Sequence, residues 1–196
     1  MSDGTEKSGG GQFRLLGTRR FGPLFLTQFL GAFNDNLYKN ALVVLVTFQA
    51  AQWTPMRPEI LANLAAGLFI LPFFFFSATA GQLADKYDKA LLARLTKLLE
   101  VGIMLVAIAG FLLHSLTLLL AALFLLGLQS TLFGPVKYAI LPQHLNEREL
   151  VGGNAQVEAG TFVAILIGTL AGGLLAGAGV DAVWIALAGL GVAVAG

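Results

Sequence analysis

A chain of 196 residues that is 57% hydrophobic and only 12% charged, with a mean hydropathy of +0.80, falls outside the range of soluble domains and reads as a membrane protein. Its net charge of +1 supplies no basic field for nucleic acid, and Lys and Arg sit in short clusters beside apolar runs. Cysteine is absent, which excludes disulfides, thiolate metal sites and thiol nucleophiles.

Residues 1–20 are polar, glycine-rich and basic (Lys7, Arg14, Arg19, Arg20), and they read as a flexible cytoplasmic tail. The apolar run behind them is too long for a signal-peptide core. Helix 1 is expected over Phe21 to Ala51, interrupted at its middle by Asn34-Asp35-Asn36 and Tyr38-Lys39-Asn40. A charge at the centre of a spanning helix costs roughly 2.5 to 3.5 kcal/mol, so such groups face a protein interior or a watery cavity. Asp35 and Lys39, four residues apart, share one helix face with Gln28 and Gly31, where they can neutralise each other across one turn. The other helices are needed to bury this stripe, which is the plan of a transporter or channel.

Gln52 to Glu59, with Trp53 and two prolines, reads as a short non-cytoplasmic turn. Helix 2 follows over residues 60–84, with Phe73 to Phe76 against lipid or neighbouring helices and Pro72 as a kink. The loop Asp85-Lys86-Tyr87-Asp88-Lys89 leads past Arg94 and Lys97 into helix 3, expected over residues 91–113, and His114-Ser115 make a tight turn into helix 4. Helix 4 is expected over residues 116–138, losing its apolar character at Gly134-Pro135-Val136-Lys137-Tyr138, with a polar loop from Pro142 to Leu150. Helix 5 spans residues 151–178, carrying Asn154, Gln156 and Glu158 early and then Gly168, Gly172, Gly173 and Gly177, which permit close helix contact. Helix 6 begins near Asp181 and has only sixteen residues to Gly196, against about twenty for a full span, so the chain is expected to be a fragment. Ten Lys and Arg residues fall in the tail and even-numbered loops and one, Arg57, in the odd-numbered turns; the positive-inside rule then places the N-terminus in the cytoplasm.

The loop Gly81-Gln82-Leu83-Ala84-Asp85-Lys86-Tyr87-Asp88-Lys89 resembles the signature of the major facilitator superfamily, which also lies between helices 2 and 3 on the cytoplasmic face. Asp88 stands where the signature has its second glycine, and Ala90 where it has its last basic residue. The resemblance implies a conformational gate loop at Gly81, Asp85, Lys86 and Lys89. Three further stretches, Phe29 to Asn36, Phe133 to Pro142 and Gly153 to Thr161, are similar to the lysophospholipid transporter branch of that superfamily. Helix 4 lacks a membrane-embedded Arg and helix 5 lacks the antiporter proline, which points away from a proton-coupled drug antiporter.

The resemblance implies an all-α membrane protein: the N-terminal six-helix half of a twelve-helix facilitator, with helix 6 truncated and two inverted three-helix repeats. It implies inward movement of lysophospholipids such as lysophosphatidylethanolamine across the bacterial inner membrane for reacylation. The partners would be membrane lipids, the lysophospholipid and the C-terminal six-helix half. The branch includes chains in which the transporter precedes an acyltransferase and an acyl-carrier-protein ligase, so the alternative is a membrane anchor that feeds a fused acyltransferase; another is a facilitator for a different small molecule. No cofactor is expected, and the coupling ion, sodium or proton, is left open. A zwitterionic headgroup needs both an anion and a cation partner, which makes Asp35, Asn36, Lys39, Lys137 and Glu158 the candidate substrate or coupling-ion residues. Lys137 and Glu158 have a second reading, as helix-end charges that reach to water. His144 and Glu149 have the His-x4-acid spacing of acyltransferases, but in a short loop with no domain to hold an acyl donor, so this stretch is not expected to be enzymatic.

Overall fold

The computed structural model describes residues 13–49 and 54–196. Gln52 and Trp53 of the expected turn and residues 1–12 of the expected tail lie outside the described residues. Six α-helices follow a 3₁₀ turn at Phe13–Gly17: α1 (Gly22–Gln49), α2 (Pro58–Lys86), α3 (Lys89–Leu112), α4 (Leu116–His144), α5 (Glu147–Gly177) and α6 (Ala182–Ala195). By length and composition, α2 to α5 are long and apolar enough to cross a membrane. The 28-residue α1 carries the polar interruption at its centre, and α6 is a shorter apolar helix.

Side-chain caps set where the helices start. Asp88 caps α3 by accepting from the Leu91 amide at 2.8 Å, Asp181 caps α6 through Val183, and Asn146 with Glu149 forms a capping box on α5. The Asp88 cap explains the departure from the facilitator signature. The α2–α3 connection has no left-handed residue, so a glycine at this place is dispensable and a capping carboxylate serves instead. Left-handed backbone occurs at His114 and Gly179, where Ser115 and Val180 donate back to Gly110 and Leu175 and close the C-terminal turns of α3 and α5.

Two expectations are corrected. Helix 4 does not end near Tyr138; it continues through Pro135 and Pro142 to His144, and the polar loop shrinks to Leu145 and Asn146. Each proline removes an N–H, but Val136, Ile140 and Leu141 are buried against neighbouring helices on either side of these breaks, and that packing keeps the turns helical. Residues 13–20 are also more than a loose tail. Leu15 is buried with Phe21, Leu141, Leu145 and Val157, and Arg20 pairs with Glu149 at 2.5 Å and donates to the His144 carbonyl.

The most extensive packings are α1 on α5 and α2 on α4. Exchanging α1–α3 with α4–α6 converts one into the other, and likewise converts α3·α4 into α6·α1. The start of α1 and the end of α4 share one apolar cluster, so these equivalent helices run antiparallel, as inverted repeats require. Both main packings rest on glycine. A Cβ at Gly168 would lie 2.5 Å from the Phe33 carbonyl oxygen, one at Gly172 would strike that of Leu37, and one at Gly127 would strike that of Phe69. The fold is that of a half-facilitator bundle.

Candidate functional site

At the level where α1 is interrupted, the bundle forms an open cavity of about 270 Å³ lined by α1 to α5. Its polar groups come from the middles of their helices: Asp35 on α1, Glu100 on α3, Gln129 and Ser130 on α4, and Thr161 on α5. Phe69, Phe73 and Phe133 form its apolar wall. Every one of these helices has to keep its backbone bonded internally at this depth, so the cavity is polar through side chains alone.

Asp35 is 4% exposed; its Oδ2 accepts from the Ser130 hydroxyl and its Oδ1 has no partner. No hydrogen bond or ion pair joins Asp35 to Lys39, although their charges act on one another. Lys39 donates instead to the Asn36 Oδ1 at 2.8 Å and sits 4.8 Å over the Phe69 ring. The reason is local. Asn36 lies one turn before Lys39 and offers a closer acceptor, while Asp35 is turned towards α4. Asn36 itself lines the cavity and donates to the Ala32 carbonyl at 2.8 Å.

The complete ion pair at this level is one that the sequence reading missed. Glu100, fully buried on α3, accepts from Lys97 at 2.7 Å and from Asn34 at 2.8 Å. This ties α3 to α1 and closes the charge of Glu100 inside the protein. The signal was present: a lysine and a glutamate three apart inside an apolar run is the same kind of interruption that marks helix 1.

Lys137 lines the opposite part of the cavity, donates to the Thr161 hydroxyl at 3.3 Å and lies 5.0 Å over the Tyr138 ring. It therefore points inward and does not snorkel to water. Thr161 in turn donates to the Gln28 Oε1 at 2.8 Å, and the Gln28 Nε2, buried, has no partner. Glu158 is exposed and outside the cavity lining, although its charge acts on Lys137. It is not brought together with Asp35. Gly81, Asp85, Lys86 and Lys89 lie at the α2–α3 junction, away from the cavity, with Asp85 and Lys86 exposed. His144 and Glu149 do not form an acid–base pair, because Glu149 is taken up by Arg20 and by the Asn146 amide of the capping box.

Among the described residues, the cavity thus offers an unpaired carboxylate oxygen on one side, an ammonium without a carboxylate partner on the other, and aromatic walls between. No solved structure matches the chain. Among curated proteins it is similar to the lysophospholipid transporter LplT of Escherichia coli strain SE11 and of strain K12 / DH10B, and to LplT of Shigella boydii serotype 18. Each is 31% identical over 156 residues, which is 78% of this chain and 36% of the relative, so the chain spans little more than a third of the length of these relatives. The family model described as Major Facilitator Superfamily matches residues 24–196. With that match covering all six helices, and a bundle whose contacts repeat after three helices, the chain is a multi-pass membrane protein that belongs to the Major Facilitator Superfamily.

Proposed function

We propose that the protein carrying this chain is a secondary transporter of lysophospholipids, moving them inward across the bacterial inner membrane for reacylation by a separate catalytic domain or enzyme. The observation that carries this reading is the coexistence, in one mid-helix cavity, of Asp35 with a free carboxylate oxygen and Lys137 with no carboxylate bonded to it. Unlike charges placed apart at membrane depth are costly to leave uncompensated, and a zwitterionic headgroup compensates both. Phe69, Phe73 and Phe133 give the acyl chain an apolar surface. The similarity to LplT supports the same reading.

In this scheme Asp35 receives the headgroup ammonium or the coupling cation, Lys137 receives the phosphate, and a second six-helix half closes the cavity from the opposite side. The basic residues Arg20, Lys86, Lys89, Arg94 and Arg148 lie at the bundle end formed by the start of α1 and the α2–α3 and α4–α5 connections. The positive-inside rule makes that end cytoplasmic. The α2–α3 loop, with Asp85 exposed, then serves as the gate on that side.

The test is leaflet-resolved uptake of labelled lysophosphatidylethanolamine, against sugars and drug substrates, in cells with and without the full-length gene. Uptake of the lysolipid that depends on the gene is expected. Gene-dependent uptake of a sugar or drug with none of lysolipid would overturn the reading in favour of another small-molecule facilitator.

A further inference from the structure

Hydrogen-bond capacity inside the cavity is unevenly distributed. On the Asp35 side there is a surplus of acceptors, since Oδ1 of that carboxylate is buried and unpartnered. On the Lys137 side there is a surplus of donors. Lys137 has three N–H groups and one acceptor, the Thr161 hydroxyl at 3.3 Å. Gln28 is 3% exposed and its Nε2, with two N–H groups, has none. Thr161 links the two: it accepts from Lys137 and turns its own proton towards Gln28 Oε1 and the Val157 carbonyl, both at 2.8 Å. In the structure the carbonyl end of the Gln28 amide faces Thr161 and the amino end is left without a partner. Buried donors are rarely left open in proteins, and a cluster of them beside a cation calls for an oxyanion.

We infer that Lys137, Thr161 and Gln28 form a phosphate subsite, in which Thr161 and Gln28 are specificity-determining residues that select a phosphodiester over an uncharged headgroup. This rests on the lysophospholipid reading above for the source of the phosphate, but the subsite chemistry is that of any phosphodiester. Gln28 and Asp35 are seven residues apart on α1, two turns or roughly 10 Å along one face. Side chains reaching inward from both ends shorten that span, so the phosphate and a positive group a few bonds away engage both ends of the cavity at once. A phosphate oxygen takes the free Gln28 N–H and a Lys137 N–H, and Thr161 holds the two donors at the spacing of one phosphate group.

The experiment uses the full-length protein in proteoliposomes, with uptake of labelled lysophosphatidylethanolamine and competition by lysophosphatidylglycerol and by uncharged monoacylglycerol. Binding of the water-soluble glycerophosphoethanolamine is measured in parallel by titration. Thr161→Val and Gln28→Leu are each expected to raise the KM for the phosphate-bearing lipids about tenfold or more, the loss of one hydrogen bond to a charged group, with kcat kept. Competition by monoacylglycerol should be unchanged, and Thr161→Ser should restore the KM. Equal loss for charged and uncharged lipids, no change in KM, or no rescue by serine overturns the subsite. If the wild-type protein moves no lysolipid yet binds glycerophosphoethanolamine in a Thr161-dependent way, the subsite stands and the lipid-transport reading falls. Absence of both activities removes the two together.

Discussion

Replacing Asp35 by Asn removes one charge and almost nothing else. The carbonyl oxygen of the amide can still accept from Ser130, and the new amino group takes the place of the oxygen that has no partner in the wild type. A neutral group is also cheaper to bury than an ion, so the change in folding stability should be about 1 kcal/mol or less. Transport should behave differently. If the carboxylate holds a substrate ammonium or a coupling cation, the lost charge-assisted contact is worth roughly 1.5 to 3 kcal/mol, or about 10- to 150-fold in uptake. Lys39 offers no escape, because its ammonium is bonded to Asn36 and stacked on Phe69. The Asp35→Asn, Lys39→Met double variant should therefore stay as inactive as the single one. Leaflet-resolved uptake of lysophosphatidylethanolamine by the full-length protein, normalised to its amount in the membrane, decides the matter. Full recovery in the double variant would mean that Asp35 serves only to balance Lys39, and the reasoning from the cavity would be refuted.

Glu100→Ala should destabilise the full-length protein by about 3 to 5 kcal/mol, since it strands the mostly buried Lys97, and adding Lys97→Met should return much of the loss; thermal melting in detergent checks this, and an unaltered melting point for the single variant would contradict it. Gly172→Ala drives a Cβ into the Leu37 carbonyl and should cost about 1 to 3 kcal/mol by forcing α5 away from α1, again read by melting. Asp85→Asn should slow cycling while leaving equilibrium binding of lysolipid near wild type; poor binding with normal cycling would remove the gate assignment from this loop.

The parts of the site legible in the sequence were those whose cost is visible in one dimension. Asp35 and Asn36 break an apolar run, and a charge at that depth has to be buried wherever the fold puts it. Lys137 could be seen as well, but its direction could not: helix ends and helix interiors look alike until the length of α4 is known, and the loss of apolar character at residues 134–138 suggested an end six residues too early. What could not be read were the partners. Ser130 meets Asp35, Thr161 meets Gln28 and Asn34 meets Glu100 across separations of 66 to 133 residues, fixed by how the helices pack against one another. Helix periodicity supplies Lys39 as a neighbour of Asp35 but does not choose its hydrogen-bond partner, which is Asn36.

The glycine contacts have a mechanical consequence. They weld α1 to α5 and α2 to α4, backbone against backbone, and Gln28–Thr161 and Asn40–Thr169 add polar rivets within the first pair. Between the two welded pairs runs a seam stitched at three heights: Tyr38 to the Leu119 carbonyl at 2.9 Å, Asp35 to Ser130, and Lys137 to Thr161. A ligand that claims Asp35 and Lys137 competes with the second and third of these contacts, so its binding is coupled to how tightly the two welded pairs are held together at the depth of the cavity.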